Sequence, residues 1–181
     1  MSFSSVRPTQ AYTVTLQEMG LNVVATGSGA INLTGLFGPG LTANSPEIIA
    51  SQALFITGPS GVVPNDLYAG FTGPTSFGSG SQIFGNFGSG DSVGIAGFYN
   101  SLVVPQGYLS GSPLSSTATW SNATFASLGV MPGTYVWSWG DGPNQNFTLI
   151  IGGSVPDSGS TVCLLGCALL GLVSLRRKLG C

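Results

Sequence analysis

"YTVTLQEMGLNVVATGSGAINLTG", from Tyr12 to Gly35, is the stretch on which the fold turns. Its first half alternates strictly, with Tyr12, Val14 and Leu16 on one face and Thr13, Thr15 and Gln17 on the other. That period of two belongs to a strand with water on one side. A break at Met19-Gly20 and a second β-rich run then read as a hairpin. Further short runs follow: "ALFIT" (53–57), "DLYAGF" (66–71), "SVGIAGF" (92–98), "SLVV" (101–104), "SSTATW" (115–120), "TYVWSW" (134–139) and "NFTLII" (146–151). Gly, Pro or Asn bounds nearly every run, and none carries a helical period. Many short strands without helical crossovers predict an all-β fold, an antiparallel β-sandwich or jelly-roll-like body over 11–153. "GPTSFGSGSQIFGNFGSG" (73–90) reads as a long surface loop pinned by Phe77, Phe84 and Phe87.

Composition sets the limits of function. The chain has 181 residues, 43% hydrophobic and 6% charged, with 29 glycines and 11 prolines. A body of ~150 residues buries about two thirds of its surface, enough for a core. Between Pro8 and Leu175 there is no Lys or Arg, while Glu18, Glu47, Asp66, Asp91 and Asp141 all lie there. Such a surface cannot displace counterions from phosphates, which excludes nucleic acid as a partner. The chain has no His, so the usual general base and the commonest metal ligand are missing. Its cysteines, Cys163, Cys167 and Cys181, are confined to the tail, leaving the body without a disulfide.

Catalysis finds little to use. There is no G-x-S-x-G elbow, dinucleotide fingerprint, P-loop or metal-ligand spacing, and Asp66 and Asp141 sit beside Asn or Gly, as turn-capping carboxylates do. No catalytic residue, metal or cofactor is expected, and the protein reads as a non-enzyme. Sequons at Asn32, Asn122 and Asn146 read as polar residues of sheet edges. In the aromatic run, Tyr135, Trp137 and Trp139 share one face, and Phe147, Leu149 and Ile151 alternate likewise across the Asp141-Gly142 turn. The alternation favours a core-facing role and weak or absent sugar binding; the competing reading is an exposed platform on which sugar rings stack. "PGTY" (132–135) resembles the start of a tyrosine corner.

The tail is different in kind. "VPDSGSTVCLLGCALLGLVSLRRKLGC" (155–181) holds three of the four basic residues, Arg176, Arg177 and Lys178, behind a run uncharged from Thr161 to Leu175. Those 15 residues span about 22 Å as a helix against a hydrocarbon core of ~30 Å, a short transmembrane helix with a basic stop on the cytoplasmic side. "LLGC" (164–167) matches a lipoprotein box, a signal read only at an N-terminus. A buried C-terminal helix explains the apolar run but not the cations, and a plain tail anchor needs no "VPDSG".

Motif, apolar run and basic cluster, in that order, resemble the PEP-CTERM class of sorting signals in its VPDSG-CTERM variety, with Val155, Pro156, Asp157, Ser158 and Gly159 at the motif positions. The resemblance implies processing by an exosortase, a membrane transpeptidase-like enzyme of Gram-negative bacteria that often make exopolysaccharide. It implies a transient stay in the inner membrane, then the cell surface or extracellular matrix. The sorting signal occupies 154–181. It also implies a Sec signal peptide, yet the polar segment 1–10 and the residues after it, "MSFSSVRPTQAY", contain one Arg and no apolar stretch. The expectation is therefore that the export segment is encoded upstream of Met1. Gly159, Cys163, Cys167 and Gly171 recur every four residues, and on a helix they would form a small-residue ridge able to dock against a helix of the sorting enzyme. The leading expectation is an envelope or matrix structural protein; the alternative is an exopolysaccharide-binding module.

Overall fold

The computed structural model describes residues 10–152. The opening hairpin is formed by β1 (Tyr12–Met19) and β2 (Asn22–Ala30), with Met19 paired to Asn22 and Gly20 at φ +61 in the two-residue turn. Tyr12, Val14 and Leu16 are fully buried, while Thr13, Thr15 and Gln17 look outward. The chain continues through β3 (Phe37–Asn44), β4 (Glu47–Ile49), β5 (Leu54–Thr57), β6 (Val63–Ala69), β7 (Ile83–Phe84), β8 (Phe87–Gly90), β9 (Val93–Ala96) and β10 (Ser101–Pro105). It closes with β11 (Pro113–Ser121), a one-turn helix α1 (Phe125–Leu128), β12 (Gly133–Ser138) and β13 (Asn146–Ile151).

These strands make two sheets. The first has six strands in the order β12-β13-β1-β2-β11-β8, the second seven in the order β3-β6-β10-β9-β5-β4-β7. Pairing is antiparallel except between β1 and β13, which run parallel from Tyr12↔Phe147 to Leu16↔Ile151. The expectation of a purely antiparallel body is corrected there, because the last strand returns to lie beside the first. One core cluster draws Tyr12, Val14 and Leu16 from the first sheet and Phe55, Ile95 and Val104 from the second, so the sheets pack face to face.

The two layers meet at several points along β5. At its start, β5 lies near the β12 edge, where the Gly97 amide bonds Ala53 O and Gly97 itself abuts Trp137. Beyond the end of β5, the Gly58 amide donates to Thr117 O of β11. β5 also meets β11 through Phe55, whose ring lies 5.9 Å from that of Trp120. A chain of hydroxyls stitches the layers: Tyr12 Oη to Ser116 Oγ at 2.6 Å, Ser116 Oγ to Thr57 Oγ1 at 2.6 Å, and Thr57 Oγ1 to Val93 O at 3.1 Å. A carbonyl can only accept, so Thr57 donates to it, Ser116 donates to Thr57, and Tyr12 donates to Ser116. Burial pushes the Tyr12 hydroxyl up to about 12, with nearby Asp91 adding to the rise and the Ser116 and Thr57 bonds opposing it.

The 73–90 segment is more ordered than a surface loop. It contains β7 and β8, which edge the two sheets, and Phe77 is buried, whereas Phe84 and Phe87 are exposed and pin nothing. Its glycines serve close approach: a Cβ on Gly80 would lie 1.9 Å from Leu128 O, and one on Gly88 2.0 Å from Gly58 O. The helix α1 is held by a capping box between Thr124 and Ser127. Among the described residues no helix is long and apolar enough to cross a membrane. The C-terminal transmembrane helix, sorting motif, basic stop and small-residue ridge expected from the sequence lie outside the described residues.

Candidate functional site

The aromatic strand was the sequence's candidate ligand surface, and its rings turn inward. Trp137 is fully buried, stacks edge-on to Phe147 at 5.9 Å, and donates Nε1–H to Pro74 O at 2.7 Å. Trp139 donates to Asn32 O at 2.7 Å and packs with Tyr135 against the core. Tyr135 Oη donates to Met131 O at 3.0 Å, four residues upstream, which is the bond of a tyrosine corner. The exposed platform of Tyr135, Trp137 and Trp139 is therefore corrected: the side chains on the outer face of β12 are Thr134, Val136 and Ser138.

The carboxylates act mainly as backbone caps. Asp66 Oδ2 accepts from the Gly107 amide at 2.8 Å, Asp91 Oδ2 from Ser115 N at 2.8 Å, and Glu18 from Phe125 N. Glu47 accepts from Gln82 Nε2 at 2.6 Å. In the Asp141-Gly142 turn the cap is Gln145, whose Oε1 accepts from Gly142 N at 2.7 Å. Among the described residues no group of three His, Cys, Asp or Glu side chains is placed to hold a metal.

Two surface features remain. On the outer face of the first sheet, Thr134, Ile150, Thr15, Thr26, Thr117 and Ser89 stand in register across all six strands. A neighbouring row runs Val136, Thr148, Thr13, Ser28 and Ser115. Neither row contains a charge. A shallow depression of about 230 Å³ lies in this face, lined by Thr26, Ser28, Ser89, Gly90, Ser115 and Thr117 among others. It adjoins a second cleft of about 350 Å³ that shares Gly90 and is lined by Pro59, Pro64, Pro105, Asn65, Asp91 and Gln106. Gly90, at φ +81, turns the corner between them, and any Cβ there would meet Ser115 O at 2.2 Å.

Asn65 is 0% exposed, and its Nδ2 donates to Val63 O at 2.9 Å and Asn44 Oδ1 at 3.5 Å. Its Oδ1 is the one buried side-chain polar atom among the described residues without a partner. Such an acceptor is costly to leave unpaired. Outward Thr13 and Thr15 were visible in the alternation, but the rows and the cleft depend on pairing register and were not.

The described body is thus a two-sheet, all-β unit, and the tail that follows it carries a sorting motif. Residues 154–179 match the family model described as the VPDSG-CTERM motif, so the chain carries a C-terminal motif of exported, surface-sorted proteins. No curated protein matches the chain, and no solved structure does.

Proposed function

We propose that this chain is a non-enzymatic structural protein of the cell envelope or extracellular matrix. An exosortase-type membrane enzyme reads Val155, Pro156, Asp157, Ser158 and Gly159 while the apolar run dwells in the inner membrane and Arg176, Arg177 and Lys178 fix its depth. The body is then delivered to the cell surface. The observation that carries this reading is the motif match over 154–179. The body adds support, since its described carboxylates are largely committed to backbone and amide partners.

The test is processing of the chain in its native host, followed by the mobility of the tagged protein and its recovery from the surface. Pro156→Ala with Asp157→Ala is expected to hold the protein in the membrane fraction; normal surface delivery of that variant overturns the reading. Cys163→Leu with Cys167→Leu keeps the run apolar and fills the ridge of Gly159, Cys163, Cys167 and Gly171. It is expected to slow processing comparably, and unchanged processing removes helix docking while leaving the sorting reading intact.

A further inference from the structure

We infer that the hydroxyl face of the first sheet, continuing round Gly90 into the Asn65 cleft, is a binding path for a neutral polysaccharide. The inference rests on the surface-export reading for its setting and on the molecule's geometry for its chemistry. Three observations converge.

The first is the register of hydroxyls. Thr15, Thr26, Thr117 and Ser89 are carried on adjacent strands whose backbones lie about 4.8 Å apart, the Thr117 and Ser89 hydroxyls bonded to each other at 2.9 Å, and the Ser28 and Ser115 row lies two residues further along. Each hydroxyl can both donate and accept, which suits a partner that is itself a repeating array of hydroxyls.

The second is the unpaired acceptor. Asn65, a residue of the cleft lining, leaves its Oδ1 buried without a partner, so a ligand hydroxyl reaches it only as the wall parts, and Asp91, whose Oδ2 already takes the Ser115 amide, stands at the junction as a further acceptor. Pro59, Pro64 and Pro105 give the same cleft apolar walls for the C–H faces of a sugar ring. Its volume of about 350 Å³ falls within the range of small-molecule sites.

The third is charge. From Pro8 to Leu175 the chain has six carboxylates, five of them in the body, and no cation, so an anionic polymer is repelled and a polycation has no acidic cluster to grip. A neutral polyhydroxylated chain is the macromolecule this surface matches. Each hydrogen bond exchanges with water at small net gain, so affinity for a short oligosaccharide is low and retention comes from many repeats acting together.

The experiment uses the full chain, purified in a detergent without a sugar headgroup and passed over immobilised neutral glucan and immobilised alginate. Retention on the glucan, unchanged between low and high salt, is expected. The variant Thr15→Val, Thr26→Val, Thr117→Val removes three hydroxyls while keeping shape and strand preference, and is expected to bind about tenfold more weakly or less. Asn65→Leu tests the cleft separately and is expected to weaken retention; circular dichroism confirms the fold of both. Absence of glucan retention by the wild type, equal retention by the triple valine variant, or retention on alginate alone overturns the inference. So does loss of a dimer in the triple variant without any glucan binding, which makes the face a self-association surface. Normal tail processing of the triple variant in the host keeps these outcomes distinct from failure of the sorting reading.

Discussion

The two sheets bury their residues differently. In the first, β1, β2 and β11 are eight or nine residues long and alternate between a dry and a wet face. In the second, β5, β9 and β10 have four or five residues and are buried on nearly every position. Phe55, Ile95 and Val104 point into the shared core, yet Ile56 and Val103, which point away from it, are buried as well. Gly94 contributes to this: it pairs with both Ile56 and Val103, and Ile56 Cγ1 occupies the space a side chain there would take. Alternation is thus a record of water on one side of a sheet, and it fades wherever a gap lets outward apolar groups cover one another.

The contrast can be broken most forcefully at the core that both sheets share. Trp120 of β11 lies 5.9 Å from Phe55 of β5, so Trp120→Ala is expected to cost about 3–5 kcal/mol in denaturant unfolding. A cost of a few tenths would mean that the layers stand independently. A second effect is alkaline. Tyr12 is held neutral in the fold, with its hydroxyl pushed up to about 12 from 10.0, so its contribution is complete below pH 10 and lost as pH rises toward 12. The loss amounts to about 3 kcal/mol, and Tyr12→Phe is expected to flatten that slope in pH-dependent unfolding. The partly buried Tyr108 shifts the same way and leaves a residual slope.

Smaller effects sharpen the contrast. A Cβ on Gly94 would sit 2.6 Å from Ile56 Cγ1 and 2.5 Å from Phe55 O, so Gly94→Ala is expected to destabilise by about 2 kcal/mol through overpacking. Neutrality there would show that the position of Ile56 does not depend on the gap. On the wet face of the first sheet, Thr26→Val is expected to change stability by less than about 0.5 kcal/mol in thermal unfolding. A larger loss would show that the hydroxyl rows hold the sheet together rather than face outward.

Which parts of this were visible in the amino-acid string follows from the same physics. β1, β2, β5, β9, β10, β11, β12 and β13 fall where apolar runs stop at Gly, Pro or Asn. β3 was hidden by "FGPG", a sequence that reads as a turn; as an edge strand paired only with β6, it tolerates Pro39 and a bulge between Phe37 and Gly40. β7 and β8 have two and four residues and owe their pairing to partners elsewhere in the chain. The sorting motif was legible because it is contiguous. The Asn65 cleft was not, because Asn65, Asp91 and Gln106 converge only through the pairing of Asn65 with Pro105 and the corner at Gly90.

The parallel β1–β13 pair has a mechanical consequence. The body begins at Tyr12, at one end of this ladder, and leaves through Ile151 and Gly152 at the other, where the Gly152 amide still bonds Leu16 O at 3.0 Å. A tension applied between Gln10 and Gly152 slides the two strands past each other, so the ladder bonds from Tyr12↔Phe147 to Leu16↔Ile151 share the force at once. Had the terminal strands been antiparallel, the same pull would have peeled those bonds one after another at low force. The geometry makes this body a shear clamp: it resists stretching along the chain more strongly than its equilibrium stability alone would imply.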